Sequence, residues 1–240
     1  MADAEFVIIY DNTCSQPTCR TGWGFSVFVN FRGLNLLFDA GADVQVLRHN
    51  IDQLNLDMKQ LDHLVLSHSH CDHVGGLSAI LKDASPTVHL LNSFSEELKE
   101  RVESYEAPLL VHQRAETLAD GVFLTGEMKG SLRGRAVIEQ SMALATDRGL
   151  VVVSGCAHPG IRQILGRFRE MAGEDIYLAL GGFHFTGKSR SEITPVVNEL
   201  ANSVNEICPC HCTGELGINI CREVFGDRYL SGGVGRKLSV

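Results

Sequence analysis

Short apolar runs and amphipathic stretches alternate along nearly the whole chain. In the first half, the apolar runs have the length and bulky composition that are typical of strands. They span Phe6–Tyr10, Ser26–Asn30, Leu34–Phe38, Asp62–Ser67 and Thr87–Leu91. The segment Phe31-Arg32-Gly33 lies between the second and third runs and predicts a hairpin there. The pattern therefore predicts a protein that mixes strands and helices.

The amphipathic stretches of the first half predict three helices. Asp43 is suited to cap the first of them, because its side chain is short and accepts hydrogen bonds. The apolar positions of that helix share one face at helical spacing, and they are Val44, Leu47, Ile51 and Leu54. The other two helices are predicted over Asp72–Lys82 and Ser93–Ser104.

The second half is irregular at first and then resumes the alternation. Pro108–Gln140 contains short apolar pieces and glycines, which predict small strands and loops. Strands are predicted over Leu150–Val153, Ile176–Leu180 and Ile207–Cys210, with two short strands around Gly232-Gly233 in Tyr229–Val240. Helices are predicted to begin at Pro159, at Thr194-Pro195 and at Thr213, the last carrying Leu216, Ile220 and Val224.

Two segments far apart in the chain resemble each other. Leu64–Ser67 leads into Leu77–Leu81, and Val151–Ser154 leads into Ile161–Leu165. In both cases a strand ends in histidine and a helix follows. Ligands collect at the carboxyl ends of strands in open α/β sheets. We therefore expect one domain over residues 1–240 with a shared site, and two separate domains are the alternative.

Composition narrows the classes of function. The chain has 240 residues, of which 44% are hydrophobic and 21% charged, as in an ordinary globular protein. Its formal net charge of −8 argues against long nucleic acid as a partner. A small anionic substrate stays open, because bound dications reverse the local field. The pattern does not indicate an oligomeric state.

The chain also lacks the signals of membrane insertion or export. No apolar run approaches the ~20 residues that span a bilayer. The first residues, Met-Ala-Asp-Ala-Glu, lack the basic and apolar regions of a secretory signal. We therefore expect a cytoplasmic protein with no membrane partner.

Four metal-ligand side chains fall within six positions. They are His68, His70, Asp72 and His73, in the sequence HSHCDH that follows the apolar run Leu64–Leu66. Imidazole and carboxylate suit zinc, iron or manganese. A polar loop with satisfied histidines is the alternative. The density and the strand-end context favour a metal site, since buried polar groups at this density destabilise a fold unless a metal compensates.

Each metal ion needs further ligands, and three histidines at predicted strand ends are candidates. His158, His184 and His211 each lie close to a glycine, which allows close backbone approach. Any one of them alone is more typical of a partly buried histidine. The other histidines, which are His49, His63, His89 and His112, are interpreted as surface or packing residues.

Eight cysteines are many for a chain that is expected in the cytoplasm. One interpretation is that they are small buried apolar residues. The other is a second, thiolate metal site or redox chemistry, and it involves Cys14, Cys19, Cys208, Cys210 and Cys212.

Several of these pieces together resemble the metallo-β-lactamase fold superfamily. The matching pieces are FDAG at 38–41, HSHCDH at 68–73, GCAH at 155–158 and HCTG at 211–214. The second piece is specific and the others are individually weak. With GGFH at 181–184, they resemble a branch labelled 7,8-dihydropterin-6-methyl-4-(β-D-ribofuranosyl)aminobenzene 5′-phosphate synthase-like, most of whose members are known as metal-dependent hydrolases.

The resemblance implies a four-layer αββα sandwich with metals at one edge. It implies that a first ion is bound by His68, His70 and His158 and a second by Asp72, His73 and His211. Asp39 would hold the ligand loop. Many superfamily members also have an aspartate that bridges the two ions, and residues 179–184 of this chain offer no carboxylate for that role. His184 would instead be a general acid or a substrate contact.

These ligands predict chemistry by metal-activated water. One or two zinc ions, with iron or manganese as alternatives, would lower the pKa of a bound water for attack on a small, phosphorylated or pterin-like substrate. Asp72 would orient that nucleophile. We therefore expect a metal-dependent hydrolase or related transferase. The first alternative is a di-iron or cysteine-assisted redox protein on the same fold, and a binding module without turnover is the second.

Overall fold

The computed structural model describes residues 3–240, which form two compact units. The described part of the N-terminal unit comprises residues 3–114 together with Gly232–Val240, and the C-terminal unit comprises Ala115–Ser231. Each unit contains its own large sheet and its own helices. The expectation of one domain over residues 1–240 stays a prediction.

A seven-stranded sheet forms the centre of the described part of the N-terminal unit. Its strands are β1 (Ala4–Tyr10), β2 (Ser26–Phe31), β3 (Leu34–Phe38), β4 (His63–Val65), β5 (Thr87–Leu91), β6 (Leu109–His112) and β15 (Lys237–Ser239). Their order across the sheet is β15-β1-β2-β3-β4-β5-β6. The pairs from β15 to β3 are antiparallel, and those from β3 to β6 are parallel. The predicted hairpin between β2 and β3 is therefore confirmed.

The helices of the N-terminal unit are α1 (Val44–Gln53), α2 (Cys71–Val74), α3 (Leu77–Leu81) and α4 (Glu96–Glu103). Asp43 caps α1 as predicted, because its Oδ1 accepts hydrogen bonds from the N–H groups of Gln45 and Val46 at 2.8 and 2.9 Å. Leu47 and Ile51 of α1 are buried against the sheet.

The single helix predicted over Asp72–Lys82 was wrong, since the chain breaks into α2 and α3 at Gly75 and Gly76. A Cβ on Gly75 would lie 2.1 Å from the carbonyl oxygen of Ala42, and one on Gly76 would lie 2.0 Å from that of Ala40. The two glycines thus let the loop after β3 approach the metal-ligand segment closely.

The C-terminal unit contains a six-stranded sheet and a separate hairpin among its described residues. The strands are β7 (Glu116–Ala119), β8 (Val122–Leu124), β9 (Met128–Leu132), β10 (Arg135–Glu139), β11 (Met142–Thr146), β12 (Gly149–Ser154), β13 (Ile176–Gly182) and β14 (Val204–Cys210). The sheet order is β14-β13-β12-β11-β8-β7, and β9 pairs with β10. The small strands predicted within Pro108–Gln140 are therefore confirmed.

Three amphipathic helices complete the C-terminal unit. They are α5 (Ile161–Ala172), α6 (Arg190–Ala201) and α7 (Gly214–Phe225). Their apolar faces form one core with the sheet, which includes Phe168 of α5, Val197 of α6 and Ile220 of α7.

Two predicted helix starts were wrong. Gly160, at a φ of 101°, is the N-cap of α5, so Pro159 lies before the helix and not at its first position. In α6 a capping box between Ser189 and Glu192 starts the helix earlier than Thr194, and Pro195 lies inside it.

One further expectation for the C-terminal third also fails, and α7 has one exposed apolar residue. Leu216 is 41% exposed, whereas its neighbour Gly217 is buried and a Cβ there would lie 2.9 Å from that of Phe185. Of the two strands predicted in Tyr229–Val240, only β15 is present among the described residues.

Candidate metal centre

The four predicted ligands of the N-terminal unit lie together at the carboxyl end of β4. The chain leaves the strand after Val65 and enters α2 at Cys71, with His70 as the N-cap residue. The ring centroid of His68 lies 4.7 Å from that of His70 and 4.1 Å from that of His73. The Nε2 atom of His73 is 3.7 Å from an oxygen of Asp72. We call His68, His70, Asp72 and His73 the N-terminal donor set.

Asp39 anchors this donor set through a buried carboxylate. Its Oδ1 accepts a hydrogen bond from the Ser67 N–H at 2.7 Å, and its Oδ2 accepts one from the Ser67 hydroxyl at 2.7 Å. The same Oδ2 accepts a hydrogen bond from Nδ1 of His73 at 2.6 Å. This contact places the ring proton of His73 on Nδ1, so Nε2 is the unprotonated nitrogen that a metal requires.

The Ser67 hydroxyl also fixes which ring nitrogen of the neighbouring His68 carries the proton. It lies 2.9 Å from Nδ1 of His68 while it donates its own proton to Asp39. The hydroxyl oxygen therefore accepts from Nδ1–H of His68, which leaves Nε2 as the lone-pair nitrogen of that ring. One carboxylate thus sets the tautomers of two predicted ligands.

Glu139, at the end of β10, anchors His158 in the C-terminal unit. Its Oε2 accepts hydrogen bonds from Nδ1 and from the backbone N–H of His158, both at 2.8 Å. Its Oε1 accepts from the N–H groups of Cys156 and Ala157, both at 2.9 Å. Glu139 is fully buried. Its carboxylate therefore holds the loop between β12 and α5 and orients the His158 ring.

The sequence interpretation missed Glu139. Its signal was one carboxylate at the end of the apolar run Ala136–Ile138, where an unpaired charge would be costly to bury. The irregular pattern of this region hid the strand and therefore the burial.

His184 lies at the end of β13, beside His158. The two ring centroids are 4.6 Å apart, and His184 has a positive φ of 53°. Burial is the largest cause that lowers the pKa of His184 to about 4, and the neighbouring His158 and Lys188 contribute less. The ring is therefore neutral at pH 7. Within the described part of the chain, its buried Nδ1 has no hydrogen-bond partner.

His211 begins a single helical turn after β14, and it is 2% exposed. Its ligand nitrogen and the sulfur atoms of Cys156 and Cys212 all lie within 4.8 Å of one another. Cys156 also forms such a group with His158 and His184. We call these five residues, Cys156, His158, His184, His211 and Cys212, the C-terminal donor set.

A cavity of about 430 Å³ opens beside His158 and His184 in the C-terminal unit. Its apolar wall includes Phe183 and Phe185, and the described residues that line it include Arg133, Arg162 and Lys188 but no aspartate or glutamate. Arg162 pairs with Glu199 at 2.5 Å. The lining is therefore positively charged in a chain whose formal net charge is −8.

Comparison with known proteins identifies the family. The sequence profile described as the metallo-β-lactamase superfamily matches residues 22–196. The chain belongs to this superfamily. It is 27% identical to 7,8-dihydropterin-6-methyl-4-(β-D-ribofuranosyl)-aminobenzene-5′-phosphate synthase of Methanocaldococcus jannaschii, and the match covers 87% of this chain and 86% of that protein.

Solved structures agree with the family. A metal-dependent hydrolase of the β-lactamase superfamily, Tm1679, has a TM-score of 0.80 and 28% identity over 99% of both chains. The metallo-β-lactamase fold protein YhfI from Bacillus subtilis has a TM-score of 0.70 at 15% identity, covering 98% of this chain and 99% of that one. The predicted α/β fold of metallo-β-lactamase type is therefore confirmed.

Two further expectations concern the chemistry and the location of the protein. The family is one of metal-dependent, hydrolase-like proteins, and it does not favour the redox alternative. Among residues 3–240, no helix is both long and apolar enough to cross a bilayer. The cytoplasmic location stays a prediction.

Three histidines outside the donor sets form a row across β4, β5 and β6 of this metallo-β-lactamase-type chain. Nδ1 of His63 is 3.0 Å from Nε2 of His89, and Nδ1 of His89 is 2.8 Å from Nε2 of His112. His89 is 2% exposed. The row is thus a connected hydrogen-bonded chain and not a set of independent packing residues.

Proposed function

We propose that the protein is a metal-dependent hydrolase of a small phosphorylated molecule. Its metal ligands in this proposal are His68, His70, Asp72, His73, His158 and His211. The observation that carries the proposal is that each unit holds a predicted ligand histidine through a buried carboxylate. Asp39 contacts Nδ1 of His73 at 2.6 Å, and Glu139 contacts Nδ1 of His158 at 2.8 Å. Metal-bound histidines are held in this way in metalloproteins.

The donor chemistry fits a divalent transition metal. The Nδ1 atoms of His73 and His158 are held by buried carboxylates, so both rings can present Nε2 to a metal. Imidazole and carboxylate ligands suit zinc, with iron and manganese as the alternatives. When bound, such a metal supplies Lewis acidity and a water of lowered pKa. The protein's contribution is to keep a proton on Nδ1 of His73 and of His158 and to present Nε2 of both rings.

Two residues of the donor sets have proposed roles toward the reactants. Asp72, whose carboxylate is 15% exposed, accepts a hydrogen bond from the attacking water and so orients it. His184 is neutral at pH 7 because its pKa is about 4, so it is suited to exchange a hydrogen bond with the substrate. A neutral ring of such low basicity is poorly suited to begin the reaction as an imidazolium acid.

The cavity beside His158 supports a phosphorylated substrate. Arg133 and Lys188 line it, and no carboxylate does so among the described residues. Phe183 and Phe185 provide an apolar wall for the rest of such a molecule. The Methanocaldococcus relative is named for a phosphorylated pterin compound, and we propose a substrate of that general type. Long nucleic acid is disfavoured by the net charge of −8.

Elemental analysis followed by an activity screen tests this function. Protein purified without chelator should contain zinc, iron or manganese, and chelation should abolish turnover. The reconstituted enzyme should hydrolyse phosphorylated compounds in preference to lactones and carboxylic esters. Protein without transition metal would contradict the metal proposal, and a preference for uncharged esters would contradict the substrate class.

The His70→Ala variant tests the ligand assignment directly. It should lose most of the bound metal and all activity, because a ligand nitrogen is removed. His49→Ala is the matched control, since Nε2 of His49 binds the carbonyl of Thr18 and not the donor set. Full metal content in His70→Ala would show that this residue is not a ligand.

A further inference from the structure

Two buried thiols belong to the C-terminal donor set, and the proposed ligands leave them without a role. Cys156 and Cys212 are 4% and 3% exposed. Their sulfur atoms and a ring nitrogen of His211 lie within 4.8 Å of one another, and Cys156 also lies within that distance of ligand nitrogens of His158 and His184. Cys156 is therefore the residue that both groups share.

We propose that Cys156 and Cys212 bind the metal as thiolates beside His211. The inference rests on the proposed function only in requiring that a metal is bound. Each thiol that binds loses its proton to solvent, and the sulfur keeps the electron pair that it donates to the metal. The resulting site contains soft sulfur ligands in addition to imidazole.

The backbone of Cys156 is held in place before any metal binds. Glu139 accepts hydrogen bonds from the N–H groups of Cys156 and Ala157, both at 2.9 Å. Ala157 has a positive φ of 57°, so the turn is strained and needs this support. The carboxylate that orients His158 therefore also fixes the position of the Cys156 thiol.

The backbone of Cys212 is fixed equally firmly. Its carbonyl oxygen accepts hydrogen bonds from the N–H groups of Phe185 and Thr186, both at 3.1 Å, and from the Thr186 hydroxyl at 2.9 Å. Its thiol lies 3.4 Å from the carbonyl oxygen of Cys156. Both cysteines are therefore preorganised next to each other.

The lack of a side chain at Gly182 leaves space for the thiol of Cys212. A Cβ on Gly182 would be only 2.6 Å from the sulfur of Cys212 and 2.3 Å from the carbonyl oxygen of Gly155. Gly182 does not have a positive φ, so its backbone conformation does not require glycine. The absence of a side chain at position 182 is what makes room for the sulfur of Cys212.

Cys221 shows that burial alone does not place a cysteine in a donor group. It is fully buried in the same unit, within the core cluster that includes Ile220 and Phe225. Burial raises the pKa of its thiol to about 12. Among the described residues, Cys221 belongs to no group of candidate ligands. It is therefore an apolar core residue and a matched control.

Cobalt substitution tests the inference. Apoprotein loaded with Co²⁺ should show the strong near-ultraviolet absorption of thiolate-to-cobalt charge transfer. Cys156→Ser and Cys212→Ser should each lose part of this absorption, and Cys221→Ser should keep all of it. If the two site variants kept the full absorption, the inference would be overturned.

A measurement on the wild-type protein covers the case in which a variant does not fold. X-ray absorption at the zinc edge of the zinc-loaded protein should show a sulfur shell at ~2.3 Å in addition to nitrogen and oxygen at ~2.0–2.1 Å. Bound zinc without a sulfur shell would refute thiolate ligation and leave the proposed function standing. Protein that binds no zinc, cobalt, iron or manganese would refute both.

Discussion

Two buried carboxylates, Asp39 and Glu139, have matching positions in their units. Each accepts the Nδ1 proton of one histidine and also holds the backbone of the loop that carries a predicted ligand. The two carboxylates differ in how readily the sequence pattern reveals them. Asp39 lies in a recognisable segment before a glycine, whereas Glu139 ends a strand that the irregular pattern concealed.

The Glu139→Gln variant should weaken metal binding. The amide keeps the size of the side chain but loses the charge that favours the Nδ1–H tautomer of His158, and its NH₂ group faces backbone donors. Loss of such a partner typically lowers metal affinity about 10–100-fold. Competition with a chromophoric chelator measures the affinity. Glu174→Gln, at an exposed position, is the control, and equal affinity in the two variants would refute the role of Glu139.

At the scale of elements, the register of β4, β5 and β6 brings the three histidines of the row together. His63 lies opposite Thr87 and His89 lies opposite Leu110, so each histidine is offset by two residues from the next. Offsets of two keep side chains on one face of a sheet. The three rings therefore meet although 26 and 23 residues separate them.

His89 should make stability depend on pH. Burial, more than the neighbouring His112 and His63, lowers its pKa to about 3. The unfolded chain binds the proton below pH ~6.5 and the folded chain does not until pH ~3, so the free energy of unfolding falls as pH falls within this window. Between pH 6.5 and pH 5 the loss should be about 2 kcal/mol.

Urea unfolding of metal-free protein at pH 7 and pH 5 measures this effect. His89→Gln should have a smaller difference between the two pH values than the wild type, because glutamine does not titrate. His49→Gln is the control, since His49 lies outside the row. An unchanged difference in His89→Gln would show that His89 does not contribute.

The break between α2 and α3 gives a second prediction for an element. Gly75→Ala should destabilise the fold by about 1–3 kcal/mol, because its Cβ would meet the carbonyl of Ala42. Gly166→Ala in α5 is the control. No described atom lies within 4 Å of a Cβ there, and alanine favours a helix by up to ~1 kcal/mol. Thermal unfolding should therefore shift in opposite directions, and parallel shifts would contradict the explanation.

Charge distribution acts at the scale of the whole molecule. A chain with a formal net charge of −8 repels anions at long range. The cavity in the C-terminal unit has the opposite local charge, with Arg133 and Lys188 in its lining. We therefore expect these two side chains to attract an anionic substrate into the cavity.

The Lys188→Gln variant tests that dependence. With a phosphorylated substrate, KM should rise by about 10-fold or less, because Lys188 is exposed and its charge is screened. The kcat value should change little, since Lys188 is not in either donor set. Arg135→Gln, an exposed change outside the cavity lining, should leave both constants unchanged. A KM in Lys188→Gln equal to that of the wild type would contradict the anion site.

The sequence by itself determined most of the strands and helices, the cluster of polar side chains from His68 to His73 and the family. These features depend on residues that are close in the chain, where periodicity and spacing are sufficient evidence. One error arises from contacts between distant segments, since the break at Gly75-Gly76 depends on Ala40 and Ala42. The two wrong helix starts have a local cause, because Gly160 and the Ser189–Glu192 capping box begin α5 and α6.

Only the tertiary structure decided which polar side chains are buried together. Glu139 meets His158 across 19 residues, Cys212 meets Cys156 across 56, and the histidine row joins three parallel strands. The physical reason is that the role of a buried charge or thiol depends on the partner group that contacts it. That partner is chosen by strand order and loop geometry, which local periodicity does not encode.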